Sequence, residues 1–113
     1  MDDHAGFRTE VRSLLVAAGY EVVGVAEDGM SALLAVGELQ PEVVILDVQL
    51  PDIDGFEVAR ALYEQPAPPA VILVSSRDES DYGGRIDRSP ARGFIPKTEL
   101  SAQALTNLLE EAT

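Results

Sequence analysis

The sequence predicts a single α/β domain with a parallel sheet between two layers of helices. Two apolar runs rich in β-branched residues, Val43–Leu46 and Val71–Val74, have the composition of strands buried on both faces. Segments with a helical spacing of apolar residues alternate with these runs. Because successive parallel strands are joined by right-handed crossovers, this alternation places helices on both faces of the sheet. A chain of 113 residues has room for one such domain and little more.

The predicted elements follow one another in the order α-β-α-β-α-β-α-β-α. Gly19 is placed to end the first helix, and Ser101 is placed to cap the last one. Residues 78–92 contain Gly83-Gly84 and Pro90, so only a short helix is expected there. Helices are predicted over residues 7–18, 30–39, 55–63 and 101–112, and strands over residues 20–26, 43–46, 71–74 and 93–95.

Composition excludes several classes of function. Twenty acidic residues against eight basic ones give a net charge of −12, which argues against direct binding to nucleic acid or to an anionic membrane. The absence of cysteine excludes disulfides and thiolate sites. No apolar run is long enough to span a membrane, and no secretory signal is visible, so a cytoplasmic location is expected.

Polar residues follow the predicted strands at the edge where parallel sheets carry their sites. Asp47 and Ser75 directly follow the two buried runs, Lys97 follows the last strand, and Asp2 and Asp3 precede the first helix. Each has an ordinary alternative as a cap, a turn residue, a solvated lysine or a complement to a helix dipole. Together, several carboxylates around one point favour Mg²⁺, and the lysine and hydroxyl suit phosphoryl transfer to a carboxylate.

In this order and spacing, the motifs resemble the receiver domain of two-component response regulators over essentially the whole chain. The pieces are Asp2-Asp3, Asp47, Leu50-Pro51-x-x-Asp54-Gly55, Val74-Ser75-Ser76 and Phe94-Ile95-Pro96-Lys97. The resemblance implies a flavodoxin-like doubly wound sheet with strand order 2-1-3-4-5. It also implies a phosphoacceptor signalling module that is no enzyme beyond its own phosphorylation and dephosphorylation.

The resemblance assigns a role to each matching position. Asp47 would accept a phosphoryl group from a histidine kinase or a phosphotransfer protein. Asp3, Asp47 and the backbone carbonyl of Gln49 would bind Mg²⁺ directly, and Asp2 would bind it through water.

Three further positions would contact or sense the phosphoryl group. Ser75 and Lys97 would contact its oxygens, and Ser75 with Phe94 would form the switch. The switch would change the surface around the last strand and last helices. The expected partner there is a downstream protein effector or a fused output domain, with a homodimer left open and no nucleic acid or membrane contacted directly.

The beginning of the chain departs from the family pattern. A receiver begins with a short apolar strand, whereas Asp2 and Asp3 directly follow Met1 here. Residues 1–113 are therefore expected to be a receiver domain truncated at its N-terminus, and the missing strand is an internal one. An upstream start, a strand from a neighbouring chain, or closure of the flanking strands into a four-stranded sheet would each compensate. The truncated protein is expected to be unstable or associated.

Two other functions stay open at this point. The missing strand favours a pseudo-receiver, an interaction domain that is never phosphorylated. A Mg²⁺-dependent phosphatase with an aspartyl nucleophile is a weaker alternative, because Gln49 stands where a second acid would be needed and little chain is left for a substrate cap.

Overall fold

The computed structural model describes residues 1–2 and 4–110. Its strands are β1 (Val43–Asp47), β2 (Ala70–Ser75) and β3 (Gly93–Pro96). Its α-helices are α1 (Ala5–Ala17), α2 (Gly29–Leu39), α3 (Gly55–Tyr63), α4 (Arg85–Arg88) and α5 (Ala102–Glu110), and 3₁₀ helices span Glu79–Tyr82 and Lys97–Glu99. Across these described ranges, no helix has both the length and the apolar character needed to cross a membrane.

The sheet is parallel, in the order β1-β2-β3, and buries both of its faces. Alternate strand residues point to opposite sides, so Leu46 and Leu73 belong to one apolar core while Ile45 and Ile72 belong to the other. Residues of α2 and α3 pack in the first core, and residues of α1 and α5 pack in the second. The predicted α/β arrangement with helices on both faces is confirmed.

The residues that the sequence predicts to end the first helix and to cap the last one have these roles in the structure. Gly19, two residues after the end of α1, adopts a φ of 93°, a conformation that only glycine reaches without strain. The hydroxyl of Ser101 accepts a hydrogen bond of 3.0 Å from the backbone N–H of Ala104, which confirms the predicted cap of α5. The predicted end of this last helix, at residues 111–112, lies outside the described residues.

The predicted strand over residues 20–26 is wrong. This segment has no regular secondary structure. At the end of this segment, on the side that faces the sheet, the carbonyl of Ala26 accepts a hydrogen bond of 2.9 Å from the backbone N–H of Asp2. Val23 and Val25 keep 50% and 54% of their surface exposed. A strand requires a ladder partner along its length, and between this segment and β1 the described residues supply only Met1 and Asp2.

A cavity of about 430 Å³ separates residues 20–26 from β1. Val11, Val22 and Val44 are among its apolar lining residues. Met1 lies at one end, where its amino group donates to the carbonyl of Ile45 at 2.8 Å and its carbonyl accepts from the N–H of Asp47 at 3.0 Å. This is the bonding pattern of a parallel strand beside β1. The expected alternative of closure into a four-stranded sheet is therefore wrong, because the gap stays open.

Burial at the end of this cavity lowers the pKa of the Met1 amino group from 8.0 to about 6. A depressed folded-state pKa contributes stability that is present above pH 8 and lost as the pH falls through 6. In chelator, the free energy of unfolding should therefore drop by about 2 kcal/mol between pH 8 and pH 6. Urea unfolding of native and N-terminally acetylated protein measures this drop. An equal pH dependence in the two forms would contradict the assignment to Met1.

Candidate functional site

Asp47 is the last residue of β1 and lies at the carboxyl edge of the sheet. Only 3% of its surface is exposed. One carboxylate oxygen, Oδ1, accepts a hydrogen bond of 3.0 Å from the backbone N–H of Gln49. The other, Oδ2, lies 3.2 Å from the ammonium nitrogen of Lys97. The carboxylate is thus fixed by its own loop and by the ammonium of Lys97, which follows β3 on the other side of the sheet.

The loop after Asp47 is packed tightly against the strand. A Cβ atom on Gly55 would lie 2.4 Å from the carbonyl oxygen of Asp47, so no side chain fits there without moving the backbone. The N–H of Gly55 donates to the carbonyl of Val48 at 2.8 Å and closes the loop. Asp52 ties the loop to α2 by accepting from the N–H groups of Gly29 and Met30. The close approach of this loop to the strand therefore requires glycine at position 55.

Lys97 joins the two buried carboxylates of the site. The register that pairs Ser75 with Pro96 carries Lys97 past the end of β3 to this edge. Its Nζ atom lies 2.6 Å from Oδ2 of Asp2, 3.2 Å from Oδ2 of Asp47 and 4.3 Å from the centre of the Phe7 ring. Lys97 is the only lysine in the sequence, and it acts here as a counter-ion rather than as a solvated side chain.

Asp2 is buried beside Asp47, with 2% of its surface exposed. Its Oδ1 atom accepts from the backbone N–H of His4 at 2.8 Å and lies 3.1 Å from Nδ1 of the same residue. Among the described residues, the partner of its Oδ2 atom is the ammonium of Lys97, at 2.6 Å. Asp3, predicted to be a direct metal ligand, lies outside the described residues, and its role stays a prediction.

Burial and charge set the protonation of these groups. Burial raises the pKa of Asp47, and the neighbouring charge of Asp2 raises it further. Burial alone would also raise the pKa of Asp2, but contact with Lys97 and the N–H of His4 outweighs it, and the net shift is downward. Burial opposes the charge of Lys97, yet the two carboxylates hold its pKa above the ordinary value. The two buried carboxylates thus share the ammonium of Lys97.

The donor atoms present fit a hard cation. One atom each from Asp2, His4 and Asp47 lie within 4.8 Å of one another. The two carboxylates offer the oxygen ligands that Mg²⁺ prefers, whereas the imidazole nitrogen of His4 does not. The Oδ2 atom of Asp2 is buried with an ammonium as its partner, a position that a metal cation could also occupy. Lys97 currently supplies the positive charge at this point.

Ser75 ends β2, fully buried, at the same edge of the sheet. Its hydroxyl oxygen accepts from the backbone N–H of Arg77 at 3.0 Å and lies 2.5 Å from the hydroxyl of Tyr82. Phe94 lies on β3 and makes an edge-to-face contact with Tyr82, with ring centres 5.9 Å apart. Sequence reasoning missed Tyr82, which carries no motif and lies in the segment where only a short helix was expected.

The model of the family described as "Response regulator receiver domain" matches residues 1–110. The chain is 49% identical over 80 residues to protein-glutamate methylesterase/protein-glutamine glutaminase 5 of Myxococcus xanthus, which covers 70% of this chain and 23% of that protein. It is 34% identical over 99 residues to the virulence factors putative positive transcription regulator BvgA of Bordetella pertussis, covering 88% of this chain and 47% of BvgA. The chain thus spans about half or less of these relatives.

Solved structures agree with the predicted fold. The signal receiver domain of the putative response regulator NarL from Mycobacterium tuberculosis superposes with a TM-score of 0.81 at 34% identity, covering 96% of this chain and 91% of that one. The response regulator domain of Thermotoga maritima CheB gives a TM-score of 0.78 at 28% identity, covering 97% and 87%. The flavodoxin-like fold class is confirmed, and the chain belongs to the response regulator receiver domain family.

Proposed function

We propose that the chain is a phosphorylation switch in which Asp47 accepts a phosphoryl group. The observation that carries this proposal is the ammonium of Lys97 between the buried carboxylates of Asp2 and Asp47 at the carboxyl edge of the sheet. A buried carboxylate held against a fixed cation is costly as a purely structural device. It suits a reaction in which negative charge develops on transferred oxygens.

In the proposed reaction, a carboxylate oxygen of Asp47 attacks phosphorus in line with the leaving group. The P–N bond of a phosphohistidine breaks, its electron pair stays on the imidazole, and an aspartyl phosphate forms. Lys97 would turn from Asp2 toward a phosphoryl oxygen, and the hydroxyl of Ser75 would donate to another. Mg²⁺ would be held directly by Asp3, Asp47 and the Gln49 carbonyl and through water by Asp2, and it would neutralise the charge of the phosphoryl oxygens.

The partners and location follow from the proposed switch. The donor would be a histidine kinase or a phosphotransfer protein in the cytoplasm. The responding surface would comprise β3, α5 and residues 79–88, and it would contact a protein effector or a fused output domain. The match to the methylesterase covers 23% of that protein, and no esterase activity is proposed for this chain.

A pseudo-receiver is the alternative that one observation favours. The cavity beside β1 is open along residues 20–26. Among the described residues, the hydrogen bond that this segment makes to the peptide of Asp2 is the one accepted by the carbonyl of Ala26. A site supported in this way would bind a cation weakly. The alternative predicts that Asp47 is never phosphorylated and that the surface of β3 and α5 binds its partner unconditionally.

Phosphorylation from a small donor separates these proposals. Protein incubated with Mg²⁺ and acetyl phosphate should gain one phosphoryl group by intact-mass spectrometry, whereas Asp47→Asn should gain none. Glu57→Gln is the matched control, because Glu57 is an exposed carboxylate on the neighbouring helix α3. Failure of the native protein to gain mass, with folding verified by circular dichroism, would favour the pseudo-receiver.

A further inference from the structure

The buried hydroxyl of Ser75 already has two partners. Its oxygen accepts from the N–H of Arg77 and shares a hydrogen bond with the hydroxyl of Tyr82, at 3.0 and 2.5 Å. A serine hydroxyl has one proton to donate and two lone pairs. The direction of the bond to Tyr82 therefore decides whether the Ser75 proton is available to anything else.

The ring of Tyr82 packs against two other aromatic rings, so a movement of Tyr82 would displace them. Its ring makes edge-to-face contacts with Phe56 of α3 and Phe94 of β3, with ring centres 5.6 and 5.9 Å apart. Phe94 has no hydroxyl and cannot form a hydrogen bond with Ser75 through its side chain. The hydroxyl and the ring of Tyr82 therefore connect Ser75 to Phe94.

The segment that carries Tyr82 ends in two glycines. Tyr82 ends a 3₁₀ helix and is followed by Gly83, which has a φ of 58°, and by Gly84. Beyond these glycines, Arg85 lies 4.4 Å from the centre of the Phe56 ring and 2.8 Å from a carboxylate oxygen of Asp54. Two adjacent glycines allow backbone rotation between the Tyr82 contact and the Arg85 contact.

We propose that Tyr82 is a positioning residue. When Ser75 bonds to the phosphoryl group, the hydrogen bond between Ser75 and the Tyr82 hydroxyl changes, and the resulting movement of the Tyr82 ring displaces Phe94 and residues 79–88. This inference rests on the proposed phosphorylation of Asp47. Phosphoryl oxygens only accept hydrogen bonds, so a bond to one of them takes the single proton of Ser75. The contact with Tyr82 then survives only if Tyr82 donates, and otherwise it breaks. Where Ser75 is the donor to Tyr82 before phosphorylation, the Tyr82 hydroxyl must reverse or lose this hydrogen bond, and its ring shifts against Phe94.

Fluorine NMR of protein labelled with 3-fluorotyrosine tests this directly. The chain has three tyrosines, Tyr20, Tyr63 and Tyr82, and single Tyr→Phe variants assign their resonances. With Mg²⁺ and beryllofluoride as the phosphoryl mimic, the Tyr82 resonance should move while that of Tyr63, on the exposed end of α3, stays in place. In Ser75→Ala most of the Tyr82 shift should be lost, and in Ser75→Thr, which keeps the hydroxyl, it should be retained.

Intact-mass measurements with acetyl phosphate separate failure of this inference from failure of the switch. If Asp47 is phosphorylated but the Tyr82 resonance does not move, or moves equally in Ser75→Ala, the role of Tyr82 is overturned and the switch stands. If the native protein takes up no phosphoryl group, both fall together. In Tyr82→Phe, phosphorylation should persist, while the backbone amide shifts that beryllofluoride causes over residues 79–88 should shrink at least twofold.

Discussion

Lys97→Met is expected to lower the free energy of unfolding by about 3 kcal/mol at pH 7 in the absence of divalent cations. The ammonium of Lys97 lies 2.6 and 3.2 Å from the carboxylates of Asp2 and Asp47, and both carboxylates are buried. Removing one member of a buried ionic cluster leaves the others uncompensated, and such losses amount to about 3–5 kcal/mol. The lower end applies here because the Lys97 side chain keeps 16% of its surface exposed.

Urea unfolding in chelator and in Mg²⁺ measures this effect. Mg²⁺ should restore much of the stability of Lys97→Met, because a cation held by Asp2 and Asp47 replaces the lost charge. The folded-state pKa of Asp47 is already raised and should rise further in the variant, so its stability should recover as the pH falls toward that pKa. Arg60→Met, which removes an exposed cation from α3, is the control. Equal losses in the two variants would show that the carboxylates need no counter-ion.

Joining a five-residue apolar strand to the amino group of Met1 is expected to stabilise the protein by about 3–5 kcal/mol. The strand would occupy the 430 Å³ cavity and bond to both of its walls. Burial of its apolar side chains and its hydrogen bonds to the two walls together outweigh the entropy lost in ordering the added backbone. The truncation expected from the sequence stays a prediction, and this extension tests it.

A glycine-serine extension of equal length is the matched control. It removes the buried ammonium of Met1 in the same way, but it brings no apolar side chains. Only the apolar extension should convert residues 20–26 into a strand, which hydrogen exchange of Val22 to Val25 would detect as new protection. Equal stability of the two extended forms would contradict the assignment of this cavity as a vacant strand position.

Much of the fold could be predicted because its signals are local. The runs Val43–Leu46 and Val71–Val74 are short, apolar at every position and rich in β-branched residues, which is typical of strands buried on both faces. Because carboxyl ends of parallel strands meet at one edge, the predicted convergence of Asp47 and Lys97 followed from topology alone. The structure brings those two residues to 3.2 Å.

The remaining features depend on partners that no local pattern encodes. Residues 20–26 have the composition of a strand, but a strand forms only beside a bonded neighbour, and described residues fill that place only at Met1 and Asp2. The contact of Tyr82 with Ser75 depends on how a glycine-rich turn folds back over the sheet edge. The sequence could show that Lys97 follows a strand, but not that it would bridge two carboxylates.

The most direct test of the central claim is to locate the phosphoryl group on the chain. Protein treated with Mg²⁺ and acetyl phosphate is reduced with borohydride, which converts an aspartyl phosphate to homoserine, and is then digested and sequenced by mass spectrometry. We expect homoserine at position 47 and at none of the other eight aspartate positions of the chain. Homoserine at another aspartate, or an unmodified Asp47 in protein that is folded and saturated with donor, would contradict the account.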